Sequence, residues 1–157
     1  FVTLRTEGRK EIAKGILLTS GLFIVLYVLL WIGAGMFGII FSNWAFSLQA
    51  VHLLFYAAVM RFLDVFLQFL IMLVLYILTK QITIGFLVIF AMHLLCVMPL
   101  SLSKYLPIGL SGLSRLSVAA GETGLLPMVA LLELFVLNMI GITLSVNIAY
   151  KKILKED

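Results

Sequence analysis

The sequence predicts an all-α integral membrane protein with about four transmembrane helices, a short amphipathic extracellular or re-entrant helix, and both termini cytoplasmic. Three observations carry that expectation. Of 157 residues, 64% are hydrophobic and only 11% charged, against about a quarter charged in ordinary soluble domains. Mean hydropathy is +1.24. Eighteen charged side chains (11 basic plus 7 acidic) cannot cover so much apolar material in water, so lipid is the solvent the composition fits. Finally, the charges cluster at the ends of long apolar runs. That placement sets nucleic acid aside as a partner despite the net charge of +4, because basic clusters flanking apolar spans follow membrane topology.

The elements follow in order. Residues 1–15 hold Arg5, Arg9, Lys10 and Lys14 beside Glu7 and Glu11 and form a basic, partly amphipathic lead-in segment. Residues 16–41 contain no charge and make the first span; a helix crosses the hydrocarbon with about 20 apolar residues. Ser42 and Asn43 break the run. Residues 44–78 form a second apolar stretch, about 52 Å long if helical, well beyond the roughly 30 Å of hydrocarbon. An interfacial start over 44–50 and a tilted span accommodate the excess. Lys80 and Gln81 make a tight turn, and residues 82–102 form a third span whose last turn Pro99 loosens.

Residues 103–123 are rich in Ser and Gly, yet Leu106, Leu110, Leu113 and Leu116 recur at helical spacing opposite Ser111, Ser114 and Arg115. This predicts a short amphipathic helix opening after Pro107, lying at the membrane surface or dipping into it. A turn over 121–124 leads to the last span, 125–149, and a basic tail, 150–157. Cations set the orientation. Eight lie in the lead-in segment, the turn at Lys80 and the tail, against Lys104 and Arg115 on the opposite face. Both termini are therefore expected in the cytoplasm.

Charged residues inside spans are costly, so Arg61, Asp64 and Glu133 are the candidate functional residues. Arg61 and Asp64 are three apart on one helix face and can pair, and Glu133 is expected at a depth similar to Arg61. The three suit a structural ion pair or triad, a polar lining of a substrate path, or a proton relay. His93 and Cys96, also three apart, have the residue types of a base and nucleophile but no orienting third group. His52 and Gln49 fall near the outer interface, and Asn138, Ser145 and Asn147 suit hydrogen bonds between helices. Ala34 with Gly38 and Gly141 with Ser145 are small-residue pairs suited to close packing. One cysteine and two histidines exclude a disulfide framework and offer no metal cluster, so no metal site is expected.

The run RTEGRKEIAKGILL at 5–18, together with YLPIGLSGLSRL at 105–116 and AYKKILKED at 149–157, resembles the permease subunits of type 2 ABC exporters. In that family a basic cytoplasmic segment leads into the third of six spans, a membrane-dipping extracellular hairpin follows the fifth, and the sixth ends in a short basic tail. The four spans here are similar to its third to sixth, and the whole chain is covered. A first residue Phe1 in place of Met agrees with the expectation that two spans and an amphipathic helix precede it.

The resemblance implies a transmembrane permease of a bacterial cell membrane, not itself an enzyme, which moves an amphipathic or hydrophobic substrate (a peptide, lipid or drug) by alternating access. It implies a second permease subunit and an ABC ATP-binding subunit that carries ATP and Mg, with no cofactor on this chain. Contact with the ATPase is expected at Arg5, Glu7, Arg9, Lys10, Glu11, Lys14 and Lys80, and an outer gate at Tyr105, Leu110, Leu113 and Leu116. Two other classes remain open: a small membrane enzyme acting on lipid or isoprenoid substrates through His93, Cys96 or Glu133, and a non-catalytic assembly or immunity protein.

Overall fold

In the computed structural model, residues 2–41, 48–97, 106–111 and 126–155 are described, and side chains within 15–38, 40, 51–96, 106–111 and 126–148. All regular structure among them is helical. Helix α1 spans Val2–Phe41, α2 Leu48–Thr79, α3 Ile82–Val97 and α4 Pro127–Lys155.

Helix α1 takes in the basic lead-in residues as well as the first expected span. Its amino-terminal part contains no proline, and Glu7–Lys10 and Glu11–Lys14 stand at the i,i+3 spacing that supports a helix on its surface. Helix α2 is one uninterrupted rod of 32 residues, about 48 Å long. Helix α4 opens on Pro127, whose missing N–H costs nothing in the first turn. It runs through the basic tail as far as Lys155 without a break.

Among the described residues, three stretches are long and apolar enough to cross a membrane: Gly15–Gly38, Val51–Thr79 and Pro127–Ile148. The apolar helix Ile82–Cys96 is shorter, and residues 98–102 of the expected third span lie outside the described residues. Between α2 and α3 the chain reverses at Lys80, whose φ of 60° is left-handed. The Lys80 amide reaches back to the Tyr76 carbonyl at 2.7 Å, and Thr79 Oγ1 accepts from the Gln81 amide at 3.2 Å.

Helix α2 is the hub, packing against α1, α3 and α4. The contacts fix the directions. Tyr27 meets Arg61 while Gly35 meets Leu54, so α1 and α2 are antiparallel. Tyr56 meets Pro127, Leu63 meets Asn138 and Leu70 meets Gly141, so α2 and α4 run parallel. The chain thus traverses the bundle in alternating senses.

In lipid, helices associate through close packing, with no water to exclude. Small residues sit where the helices touch. A Cβ on Gly85 would lie 3.3 Å from the Met72 backbone, and one on Gly141 3.0 Å from Leu70 Cδ1. One core cluster joins Met60 and Leu67 of α2 with Ala130 and Leu134 of α4 and with Leu110 of the segment between α3 and α4. A second joins Ile24 and Val28 of α1 with Ala58 of α2. Of the two small-residue pairs, Gly141 packs against Leu70 and Ser145 is buried, whereas Ala34 and Gly38 face outward.

Candidate functional site: a turn docked on a buried aspartate

The segment expected to open a helix after Pro107 does not do so over its described residues, 106–111. They form a tight turn, with Gly109 at φ 83°. A left-handed residue cannot continue a right-handed helix, and only glycine takes that conformation without a Cβ clash. The Leu stripe opposite a Ser face does not hold there either, since Leu110 and Ser111 are both buried, at 0% and 7% exposure. What holds the turn is a carboxylate.

Asp64, on α2, is 0% exposed. Its Oδ1 and Oδ2 each lie 3.2 Å from the Gly109 amide. Ser111 Oγ donates to Oδ2 at 2.5 Å, and the Gln68 side-chain amide donates to Oδ1 at 3.1 Å. Donors from backbone, hydroxyl and amide therefore surround the carboxylate, which is how a buried charge is held without a direct counter-ion. Cys96, near the end of α3, fastens the other side of the turn, its Sγ 2.9 Å from the Ile108 carbonyl.

The depth of this turn follows from the hairpin. Asp64 and Cys96 are each sixteen positions from Lys80, one along each arm, about 24 Å at helical rise. The turn between α3 and α4 is thus seated near the middle of α2, with Ile108 and Leu110 both at 0% exposure.

Arg61 does not pair with Asp64. The Ser111 hydroxyl stands between them, receiving Arg61 Nη1 at 3.1 Å while donating to Asp64. Arg61 Nη2 donates to Tyr27 Oη of α1 at 2.9 Å, and the guanidinium carbon is 5.8 Å from the Tyr27 ring centroid. Arg61 Nε is buried with no partner among the described residues. The polar chain Tyr27–Arg61–Ser111–Asp64–Gln68 therefore ties α1, α2 and the turn together, running from the buried Asp64 out to the exposed Tyr27.

Glu133 lies on α4 at the height of Arg61, as the Tyr56–Pro127 and Leu70–Gly141 contacts show. It is partly buried and makes no hydrogen bond with Arg61 or Asp64. The expected triad is not assembled, because Arg61 turns toward α1 while α4 packs on another side of α2.

His93 Nδ1 lies 2.9 Å from its own-helix carbonyl at Ile89, with the ring exposed. Cys96 is directed to the turn, so the two do not form a base and nucleophile. His52 is exposed. Asn138 donates to Leu63 O at 3.0 Å, an interhelical bond of the kind expected, while Ser145 bonds its own helix at Gly141 O and Asn147 is exposed. Lys80 is exposed on the hairpin turn. The side chains of Arg5, Glu7, Arg9, Lys10, Glu11 and Lys14, and of Gln49, lie outside the described residues, as do Tyr105, Leu113 and Leu116; Leu110 alone of the gate residues is placed, in the core.

Compared with protein-family models, curated proteins and solved structures, the chain matches none of them. The site therefore stands on its own geometry. Sequence reasoning singled out Arg61 and Asp64 but not Tyr27, Gln68, Gly109 or Ser111 as their partners. Gln68 was within reach of it, one helical turn from Asp64. Pro107 and Gly109, at the second and fourth positions of a four-residue window starting at Leu106, carry a turn signal as well as a helix-opening one. Tyr27 and Ser111 are brought in only by tertiary packing.

Proposed function

We propose that this chain is the transmembrane permease part of an ATP-driven exporter of the type 2 ABC class, moving an amphipathic substrate across a bacterial cell membrane by alternating access. The observation that carries the reading is the turn 106–111, lodged between α3 and α4 and seated at mid-span on Asp64. A membrane-dipping segment between the last two of four alternating helices is the layout implied by the resemblance in residues 5–18 and 105–116.

In this reading the chain crosses the membrane four times, α3 being part of the third span. The start of α1 and the end of α4 fall at one end of the bundle, where the positive residues also lie, which supports cytoplasmic termini. An ATP-binding subunit carrying ATP and Mg docks on residues 1–15 and the Lys80 turn, and a second permease subunit completes the path. This chain binds no cofactor and performs no catalysis. Movement of the turn off Asp64 is the step that opens the outer end.

The test is affinity purification of the tagged chain in mild detergent from its native membrane. A copurifying nucleotide-binding subunit, whose ATPase rate changes on neutralising Arg9, Lys10 and Lys14 together, is the expected result. Recovery of the intact chain with no such subunit, under conditions that preserve membrane complexes, overturns the reading. The enzyme alternative has less support, since His93 and Cys96 are turned to separate partners.

A further inference from the structure

We propose that Arg61 is an intramembrane binding site for the carboxylate or phosphate group of an anionic amphiphile that enters from lipid along α1. Tyr27, to which the guanidinium is bonded, stands at the middle of the apolar stretch Gly15–Gly38, about 17 Å from either end. A cation at that depth has no water to solvate it, and long basic side chains near span ends ordinarily reach for the interface. Arg61 does not. Its head is held sideways between α1 and α2 by two hydroxyls, Tyr27 Oη and Ser111 Oγ.

The guanidinium has donors to spare. A guanidinium has five N–H groups in a planar fork. Two are used here, both on neutral oxygens, and Nε is buried with no acceptor among the described residues. The obvious counter-ion, Asp64 one turn along, is engaged with Gly109, Ser111 and Gln68 and reaches Arg61 only through the Ser111 hydroxyl. Holding the two charges apart leaves donors on the fork for a carboxylate or phosphate, the groups it fits best.

The approach is open on the α1 side. Tyr27 is 42% exposed, and Phe23, one turn away along α1, is 68% exposed. Trp31, one turn the other way, is half-buried. These rings form an apolar wall on which an acyl chain can lie with its charged head at Arg61. As a statement of what is exported this rests on the permease reading; as a binding site it does not.

The test uses the full chain with Trp44→Phe, so that Trp31 is the sole tryptophan reporter, in phosphatidylcholine nanodiscs. Titration with bromine-tagged dodecanoate should quench Trp31 saturably. Dodecyl phosphate should displace the probe and dodecyltrimethylammonium should not. Arg61→Gln should raise the half-saturation point by about tenfold or more, and Arg61→Lys by less, since it keeps the charge without the fork. Equal displacement by the cationic and anionic amphiphiles overturns the proposal, and that comparison needs no Arg61 variant to fold. An unchanged half-saturation point in a helical Arg61→Gln protein overturns it as well.

Substituting phosphatidylglycerol for part of the nanodisc lipid separates two sources of the anion. Loss of the probe site assigns it to a resident lipid, and persistence to a free amphiphile. Probe binding without a copurifying ATPase leaves the site standing and the permease reading fallen. An ATPase partner without probe binding does the reverse.

Discussion

Replacing Asp64 with Ala should undock the turn 106–111 from α2, and Cys96 offers a built-in reporter. The carboxylate takes the Gly109 amide, the Ser111 hydroxyl and the Gln68 side chain. Gln68 is only partly buried and can turn away, so two donors are left stranded inside the bundle. A buried unsatisfied donor costs about 1–3 kcal/mol, which makes about 2–6 kcal/mol for the two. At about 1.4 kcal/mol per tenfold, the undocked population rises at least about 30-fold. The only cysteine, Cys96, is bonded to the turn at Ile108, so its reaction with a small membrane-permeant thiol reagent follows that population when docking is fast. The Asp64→Ala protein should label at least about 30-fold faster than the parent. Asp64→Asn, which keeps one acceptor oxygen and the shape but loses a charge-assisted bond worth about 1.5–3 kcal/mol, should fall between. Equal labelling rates in parent and Asp64→Ala, with helix content unchanged, would refute the reasoning.

Other consequences follow from the same packing. Arg61→Leu and Glu133→Leu should be additive within about 0.5 kcal/mol in an unfolding titration in mixed micelles, because no bond joins the two side chains; a larger coupling would mean they meet. Gly85→Ala should destabilise the α2–α3 hairpin, since its Cβ would press on Met72 backbone at 3.3 Å, whereas Gly21→Ala, with open space around it, should stabilise by up to about 1 kcal/mol through helix propensity. Equal effects in thermal melts at the two sites would contradict the close approach. Lys80→Gly should raise stability by about 1 kcal/mol by relieving the left-handed φ of 60°. A drop in melting temperature would count against the turn geometry.

The long apolar runs made α1, α2 and α4 legible, because a run that crosses lipid must satisfy its backbone within itself and can only be helical here. Their ends were less legible. Nothing in residues 2–15 or 150–155 stops a helix already under way, so α1 and α4 extend into segments whose charge made them read as separate. The amphipathic reading of 103–123 failed at 107–111 for another reason. A Leu periodicity predicts a helix when the polar face meets water, but Ser111 and the Gly109 amide are turned inward to Asp64.

By itself, the sequence determined the solvent, the helical class and the three charges that lipid cannot tolerate unaided, since transfer cost depends on side-chain chemistry and run length alone. Tertiary structure decided how those charges are met. Equal spacing from the Lys80 turn brings Asp64 and Cys96 to one level, and residues 106–111 fold back onto them. Arg61 and Asp64 are three apart and free to pair, yet a hydroxyl from position 111 separates them. Hydrogen bonds of a buried carboxylate are filled by whichever donors packing delivers; Gln68 is one helical turn away, but the Gly109 amide and Ser111 hydroxyl come from more than forty positions along the chain.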